Sequence, residues 1–317
     1  MKTYQPSEIR NFAIVGHASA GKTMLSESML VCGGVLNRLG SIAAGTTASD
    51  YHDSERQRQI SVHASLLHTE WMGKKFNIID TPGYLDFISE GLGALRVGDF
   101  ALVVVHGQHG VSVGSEQVWD YATRYGIPKM IVINAVDKEQ VDFDSTLAQV
   151  RARFGERVFP MSIPINAGPG FNQVLDVLRN EVITYAEDRS GKFQEAPAGG
   201  EWAEKTKQLH QQLIEYIAES DDSLLEKFFA EGTLSEEEMR AGIHAAVQKQ
   251  SFIPLFCASG ETNVGVARLM DFIAKYGSSP EDRKKVKAMN ADGAEVEISL
   301  AFIAHEVFSL FSFFIDF

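Results

Sequence analysis

An eight-residue segment near the beginning of the chain has the residue types and spacing of a phosphate-binding loop. Its residues are Gly16, His17, Ala18, Ser19, Ala20, Gly21, Lys22 and Thr23, in the pattern G-x-x-x-x-G-K-[ST]. Glycines allow successive backbone amides to turn toward a phosphate, the lysine neutralises the phosphate charge, and the threonine hydroxyl reaches Mg²⁺. The alternative is a tight glycine-rich turn with an unrelated lysine. Because an apolar run precedes the segment and a helical pattern follows it, we predict that it binds phosphate.

A second polar turn, Asp80-Thr81-Pro82-Gly83, directly follows the apolar residue Ile79. A carboxylate at the end of a strand can hold Mg²⁺ through water, and the amide of Gly83 can contact a terminal phosphate. Such a turn is common by itself, so its functional interpretation depends on the phosphate loop upstream. Together, the two segments predict a site for a nucleotide and Mg²⁺.

Two further segments have the chemistry to select a base. Asn134-Ala135-Val136-Asp137 follows an apolar run, and the Asp137 carboxylate could accept two hydrogen bonds from N1 and N2 of guanine. Adenine cannot donate in that pattern. Ser259-Gly260 follows another apolar run, and a backbone amide there could donate to guanine O6. Either segment could instead be an ordinary polar strand end, but with the phosphate loop they predict GTP or GDP as the ligand.

The elements that must position these segments form an alternating pattern. Apolar runs predict strands at 12–15, 76–79, 101–105, 130–133 and 252–256, and amphipathic segments predict helices at 23–31 and 115–124. Strands that alternate with helices are typical of parallel βαβ units, so we predict a three-layer α/β fold of the P-loop NTPase kind with a mainly parallel sheet. The candidate loops then meet at the carboxyl edge of the sheet, where such sheets bind ligands.

Residues 134–251 separate the fourth and fifth runs, which is too long for an ordinary connection and predicts an inserted α+β subdomain. Within it we expect a loop at 196–200, a helix with apolar residues at 209–217, and a helix that begins at the capping box of Ser235 and Glu238. The predicted boundaries are 1–157 and 251–276 for the two parts of the nucleotide-binding domain, 158–250 for the insertion, 277–293 for a linker and 294–317 for the truncated start of a second, β-rich domain.

Composition limits the partners and the compartment. Lys+Arg 29 and Asp+Glu 42 give a net charge of −13, which does not favour non-specific binding to DNA or to anionic membranes. Cys32 and Cys257 lie far apart without metal-ligand spacing, so we predict a cytoplasmic protein with reduced cysteines. His106 and His109 have no carboxylate or cysteine partners at metal-ligand spacing, so we predict that they are loop histidines. The apolar segment 298–317 contains charges, and no run reaches the roughly 20 residues of a spanning helix. We therefore expect no membrane or DNA partner, and a monomer.

The motifs together resemble those of the translational GTPases, and most closely elongation factor G. The resemblance continues through residues 84–87, 95–97, 110–111 and 116–119, into the predicted insertion at 217–222 and 224–227, and as far as 278–280. It implies a module that binds and hydrolyses GTP, with Mg²⁺, in a factor that acts on the ribosome. The partners it implies are RNA and proteins of the large ribosomal subunit.

The resemblance also implies roles for individual residues. The switch I threonine of the family, a Mg²⁺ ligand, corresponds to Ser61, which keeps the hydroxyl and would join Thr23 and Asp80. Gln57 and Gln59 stand where the family usually has glutamate and glycine. The implied catalytic residues are Lys22, Gly83 and Tyr84, and the implied nucleotide-binding residues are 16–23, Asp80, Asn134, Ala135, Asp137, Ser259 and Gly260.

The sequence departs from the family pattern at three further positions, and the changes at Tyr84 and Ser19 resemble a divergent elongation factor G-like branch. Tyr84 replaces the catalytic histidine, and because a phenol orients water but is a poor base at neutral pH, we expect slow hydrolysis without the ribosome. Ala135 replaces the lysine that covers the base and tethers the phosphate loop, which predicts roughly tenfold weaker guanine affinity. Ser19 replaces an aspartate. Tyr84 and Ala135 leave open a nucleotide-dependent switch or ribosome-associated regulator with little hydrolysis, and the phenylalanine-rich end of the sequence leaves open an inactive fragment.

Overall fold

A seven-stranded sheet forms the centre of the protein in a computed structural model that describes residues 2–219, 221–283, 285–290 and 293–299. Its strands are β1 (Ile9–Gly16), β2 (Ser65–Trp71), β3 (Lys74–Asp80), β4 (Phe100–His106), β5 (Lys129–Asn134), β6 (Val158–Pro160) and β11 (Ile253–Cys257). They lie in the order β2-β3-β1-β4-β5-β11-β6, and all neighbours are parallel except β2 and β3. All five predicted strands lie in this sheet, and the predicted mainly parallel α/β fold is confirmed.

The sheet is buried on both faces by helices. The helices around it are α1 (Lys22–Cys32), α2 (Asp53–Arg58), α3 (Ile88–Val97), α4 (Val113–Arg124), α5 (Phe143–Phe154) and α9 (Val266–Tyr276). Alternate residues of β1 belong to different cores, because Phe12 packs with α1 and α9 whereas Ala13 packs with α3, α4 and α5. The ring of Phe12 stacks on Phe100 with centroids 4.9 Å apart. Burial on both faces explains the continuous apolar runs that the sequence shows in β4 and β5.

The insertion contains a separate antiparallel sheet, which confirms the predicted α+β subdomain. Its strands are β7 (Ser162–Pro164), β8 (Gln173–Asp176), β9 (Glu181–Tyr185) and β10 (Phe193–Pro197), and its helices are α6 (Glu201–Ala218), α7 (Asp222–Glu231) and α8 (Glu236–Lys249). The predicted capping box is present, since Ser235 Oγ accepts from Glu238 N and Ser235 N donates to Glu238 Oε2. The prediction of a loop at 196–200 is wrong for its first two residues. Ala196 and Pro197 pair with β9, and an edge strand tolerates the proline.

One buried arginine connects the insertion to the main domain. Arg268 of α9 is 7% exposed and pairs with Asp271 of its own helix at 2.9 Å. It also approaches carboxylates of three insertion strands, Asp176 at 3.8 Å, Glu181 at 3.5 Å and Glu195 by a hydrogen bond. Because a buried charge must be compensated, these carboxylates balance the charge of Arg268 between the main domain and the insertion.

The C-terminal part of the described chain forms a hairpin. Strands β12 (Lys285–Met289) and β13 (Glu295–Ser299) are antiparallel and lie within the segments predicted as the linker and the start of a second domain. The domain boundaries stay a prediction, and residues 300–317 lie outside the described residues. Within the described ranges, no helix combines the length and apolarity needed to cross a membrane. Cys32 and Cys257 are both free thiols.

Candidate nucleotide-binding site

The candidate segments converge at the carboxyl edge of the main sheet. The phosphate loop follows β1, the turn with Asp80 ends β3, Asn134 ends β5, and Ser259 follows β11. These strands are close neighbours in the order β3-β1-β4-β5-β11, so residues far apart in sequence come together. The edge is the usual ligand-binding position of an open parallel sheet.

The phosphate loop depends on a glycine at the start of α1. Gly21 has φ 83°, and a Cβ added to it would lie 2.3 Å from Nδ2 of Asn134. Only glycine satisfies both the left-handed backbone and this close approach. The loop therefore turns tightly, and the first amides of α1 point toward the position expected for a phosphate.

Lys22 lies over the loop from the first turn of α1. Its Nζ donates to the carbonyl oxygens of Gly16 at 3.1 Å and His17 at 2.9 Å. Burial lowers the pKa of Lys22 to about 8, and the carboxylates of Asp80 and Asp50 oppose the fall. A cation held among carbonyls and away from water interacts strongly with an incoming phosphate.

Two hydroxyls and a carboxylate meet beside Lys22. Thr23 Oγ1 donates to Asp80 Oδ2 at 2.9 Å and lies 3.2 Å from Ser61 Oγ. Burial raises the pKa of Asp80 to about 6, and the charge of Lys22 opposes the rise. Asp80 Oδ1 is buried without a hydrogen-bond partner among the described residues. These hard oxygen donors, one with an unused lone pair, fit Mg²⁺.

The segment that carries Ser61 is held by two buried glutamates that sequence reasoning missed. Glu55 is fully buried, and its Oε1 accepts from the amides of Val62 and His63, both at 3.0 Å. Glu27 of α1 accepts from the amides of Gly40 at 2.8 Å and Ala48 at 2.6 Å. Glu55 lies in a polar stretch where no spacing indicates burial, whereas Glu27 lies between the buried apolar residues Leu25 and Met29 of α1. The two glutamates fix the loop that brings Ser61 to Thr23.

The residues around Ser61 account for one observation from the sequence and include one buried carboxylate that the sequence did not indicate. Gln59 ends α2 with φ 55°, a left-handed conformation that glycine adopts more easily, and glycine is the usual family residue there. Asp50 is buried next to the site and was not predicted. Burial raises the pKa of Asp50, and the nearby Ser61 hydroxyl opposes the rise.

Gly83 and Tyr84 lie where the turn after β3 meets the phosphate loop. A Cβ on Gly83 would lie 2.3 Å from Lys22 Nζ and 2.5 Å from Ala18 N, so a glycine is needed for this approach. Tyr84 follows and is 42% exposed. Ser19 is also exposed, with φ 61°. The structure thus brings Gly83 to Lys22 and leaves the phenol open to solvent.

Asn134 connects the phosphate loop to the loop after β11. Its Nδ2 donates to the carbonyl of Ala20 at 2.9 Å, and its Oδ1 accepts from the amide of Gly260 at 2.9 Å. The Gly260 amide is thereby engaged, and its contribution to base binding stays a prediction. The Ser259 hydroxyl accepts from Thr262 N at 3.1 Å and stabilises the same turn.

The predicted base reader, Asp137, lies at the outer side of this connection. Asp137 Oδ1 is buried without a hydrogen-bond partner among the described residues, and Oδ2 lies 3.5 Å from Lys138 Nζ. Ala135 is 9% exposed with φ 60°. The rings of His106 and His109 stack with centroids 4.4 Å apart. No group of three or more His, Cys, Asp or Glu within the described part could hold a metal ion, and these histidines belong to no such group.

Comparisons with known proteins agree with this geometry. The family described as "Elongation factor Tu GTP binding domain" matches residues 7–279. A crystal structure of a protein from Thermus thermophilus is similar with a TM-score of 0.81 and 33% sequence identity, over 88% of this chain and 41% of that chain. This chain therefore spans less than half of that protein's length. Because the family match covers most of the residues, the chain belongs to the family of the elongation factor Tu GTP-binding domain.

Proposed function

We propose that this chain binds and hydrolyses GTP as the nucleotide-dependent module of an elongation factor G-like factor that acts on the ribosome. The observation that carries the proposal is the meeting of Thr23, Ser61 and Asp80 beside the buried Lys22. A switch I hydroxyl that reaches the phosphate loop is what a γ-phosphate-sensing site requires. The family membership supports the same conclusion.

The phosphate loop and Lys22 would bind the triphosphate. Lys22 would exchange its hydrogen bonds with the carbonyls of Gly16 and His17 for stronger bonds to phosphate oxygens. Thr23, Ser61 and Asp80 would hold Mg²⁺, which when bound supplies positive charge to the phosphate oxygens. Ser61 precedes the backbone amide of Val62, which Glu55 holds, and its hydroxyl lies next to that of Thr23. Binding of the γ-phosphate and Mg²⁺ would therefore order the switch I segment that carries Ser61.

Gly83 and Tyr84 would serve hydrolysis. The Gly83 amide lies close to the phosphate loop and could orient the γ-phosphate. The Tyr84 phenol could position the attacking water by a hydrogen bond without taking its proton, which makes the contribution of this chain mainly positional. Hydrolysis would then be slow until the ribosome completes the site.

Asp137 would read the guanine base. Its Oδ1 is buried and unpaired among the described residues, as an acceptor for a base N–H should be before the ligand arrives. Asn134 would position this loop against the phosphate loop. Ala135 leaves the face of the base without a lysine stem, and we infer a weaker affinity for guanine nucleotides for that reason.

Titration calorimetry with GTP, GDP and ATP, each with Mg²⁺, tests the proposal. Micromolar or tighter binding that is selective for guanine supports it, as does GTP turnover that ribosomes accelerate. Equal competition by ATP, or no binding, would contradict it. Lys22→Ala should abolish binding, because it removes the cation that is proposed to contact the phosphates. Lys2→Ala, on the surface, is its matched control.

The cellular setting is part of the proposal. We infer action in the cytoplasm, as a monomer, with RNA and proteins of the large ribosomal subunit as partners. Cosedimentation with ribosomes in the presence of GTP, compared with GDP, tests the partner. Equal sedimentation with both nucleotides would contradict a nucleotide-dependent interaction.

A second candidate is a nucleotide-dependent switch with little hydrolysis. Tyr84 favours it, since an exposed tyrosine stands where the resemblance places the catalytic histidine. The two candidates share nucleotide binding and differ in turnover.

A further inference from the structure

An ion pair joins the two loops that flank the proposed base site. Lys138 directly follows Asp137 after β5, and Glu261 directly follows Gly260 after β11. Lys138 Nζ donates a hydrogen bond to Glu261 Oε2 and lies 3.5 Å from Asp137 Oδ2. The pair thus links the loop that carries the base-reading carboxylate to the loop on its other side.

The other connections between these loops are buried and lie deeper. Val136 N donates to the carbonyl of Ala258 at 3.2 Å, and Gly260 N donates to Asn134 Oδ1 at 2.9 Å. The side chains of Lys138 and Glu261 are 39% and 51% exposed, so their contact is nearer to the solvent.

The short side chain of Ala135 makes the contact between Lys138 and Glu261 important. The position carries a single buried methyl group, where the family resemblance places a lysine that covers the base and reaches the phosphate loop. Inner contacts through Asn134 still attach the phosphate loop. Without a long side chain at 135, the outer ends of the two loops need another restraint.

We propose that Lys138 and Glu261 form a clamp that holds the two base-binding loops around guanine and takes over part of the role of the missing lysine. The inference rests on the proposed binding of guanine nucleotides. Lys138 is a positioning residue, because it acts on the base through Asp137 and through the loop that carries Glu261.

The release of a fluorescent GDP analogue tests the clamp. We expect Lys138→Met and Glu261→Gln each to accelerate release roughly threefold to fivefold, as expected for a partly exposed ion pair. The double variant should release GDP no faster than the faster single variant, because either change already breaks the pair. Glu70→Gln, which breaks the remote pair with Lys2, is the matched control and should leave release unchanged.

A second variant separates the clamp from simple loop stability. Ala135→Lys should slow GDP release, and in that background Glu261→Gln should have a smaller effect, because the lysine restores the missing restraint. Thermal unfolding of the nucleotide-free variants should match that of Glu70→Gln. Wild-type release rates in both single variants, or additive effects in the double variant, would overturn the clamp while leaving GTP binding intact. Absence of GDP binding by the wild-type chain would overturn both the clamp and the proposed function.

Discussion

Thr23 Oγ1 donates a hydrogen bond to Asp80 Oδ2 at 2.9 Å, although the two residues are 57 positions apart in sequence. The bond crosses from the first turn of α1 to the end of β3 and connects the phosphate loop with the turn that carries Gly83. A hydroxyl donor satisfies one oxygen of a deeply buried carboxylate and leaves the other oxygen for a cation. The proposed Mg²⁺ site and the proposed phosphate site are therefore parts of one structural unit.

The raised pKa of Asp80 predicts that Mg²⁺-dependent nucleotide affinity depends on pH. The carboxyl must be ionised to hold Mg²⁺, and its folded-state pKa is about 6. We therefore expect affinity to fall as pH decreases through that value, with proton release on binding at low pH. Calorimetry at about pH 5.5 and about pH 7.5, in buffers with different ionisation enthalpies, measures both effects.

Asp99 supplies the control for this pH dependence. Burial raises its pKa to about 6 as well, but it lies before β4, where it accepts from Asn11 Nδ2 at 2.9 Å. Asp99→Asn should keep the pH dependence of affinity, whereas Asp80→Asn should remove it. For both groups, the folded pKa lies above the ordinary value, so their contribution to stability is present at low pH and is lost as pH rises through about 6. An affinity that is the same at both pH values would contradict the assigned role of Asp80.

Gly21→Ala should prevent the phosphate loop from forming. An added Cβ would lie 2.3 Å from Asn134 Nδ2, in addition to the backbone cost of φ 83°. Gly34→Ala is the matched control, because Gly34 has φ 74° with nothing within 4 Å of an added Cβ. We expect Gly34→Ala to lower the free energy of unfolding by about 1 kcal/mol and Gly21→Ala by clearly more, with loss of GDP binding. Urea unfolding and GDP titration measure both, and equal costs would show that the close approach is not important.

Glu55→Gln should release the loop that carries Ser61. The amide side chain keeps one acceptor and places its NH₂ group toward backbone donors, so a buried amide loses its partner. We expect the free energy of unfolding to fall by roughly 1–3 kcal/mol and limited proteolysis between residues 40 and 63 to become faster. Asp53→Asn, in the exposed first turn of α2, is the matched control. If both variants resist proteolysis equally, the buried carboxylate does not hold the loop.

Substitutions at Tyr84 distinguish the two candidate functions. Tyr84→Phe removes only the hydroxyl, and we expect it to lower ribosome-stimulated GTP turnover while leaving GDP affinity unchanged, because the side chain is 42% exposed. Tyr84→His then separates the candidates. A gain in turnover of roughly tenfold or more favours a slow switch, and a loss favours tyrosine as the working residue. Unchanged turnover in both variants would exclude Tyr84 from hydrolysis.

Strands at the edges of the sheets were not predicted, because they lack the continuous apolar runs of the central strands. The five predicted strands are continuous apolar runs, which are reliable indicators because both faces of the sheet are covered. By contrast, β2 is the antiparallel edge strand, with Leu66 72% exposed, and β10 is an exposed edge that ends in Pro197. Edge strands obtain their hydrogen bonds from one neighbour, so their pairing is decided by tertiary context.

The amino-acid sequence was sufficient to predict the glycine-rich loop at 16–23, the strands and helices next to it, the existence of the insertion and the family. Those signals are local, because a glycine pattern, an apolar run and a capping box depend on residues a few positions apart. The folded structure was needed to show that Ser61 reaches Thr23, that Glu27 and Glu55 hold the loop around Ser61, and that Lys138 pairs with Glu261. These contacts form between segments whose distance is set by strand order and burial, and the spacing of residues along the chain does not encode either one.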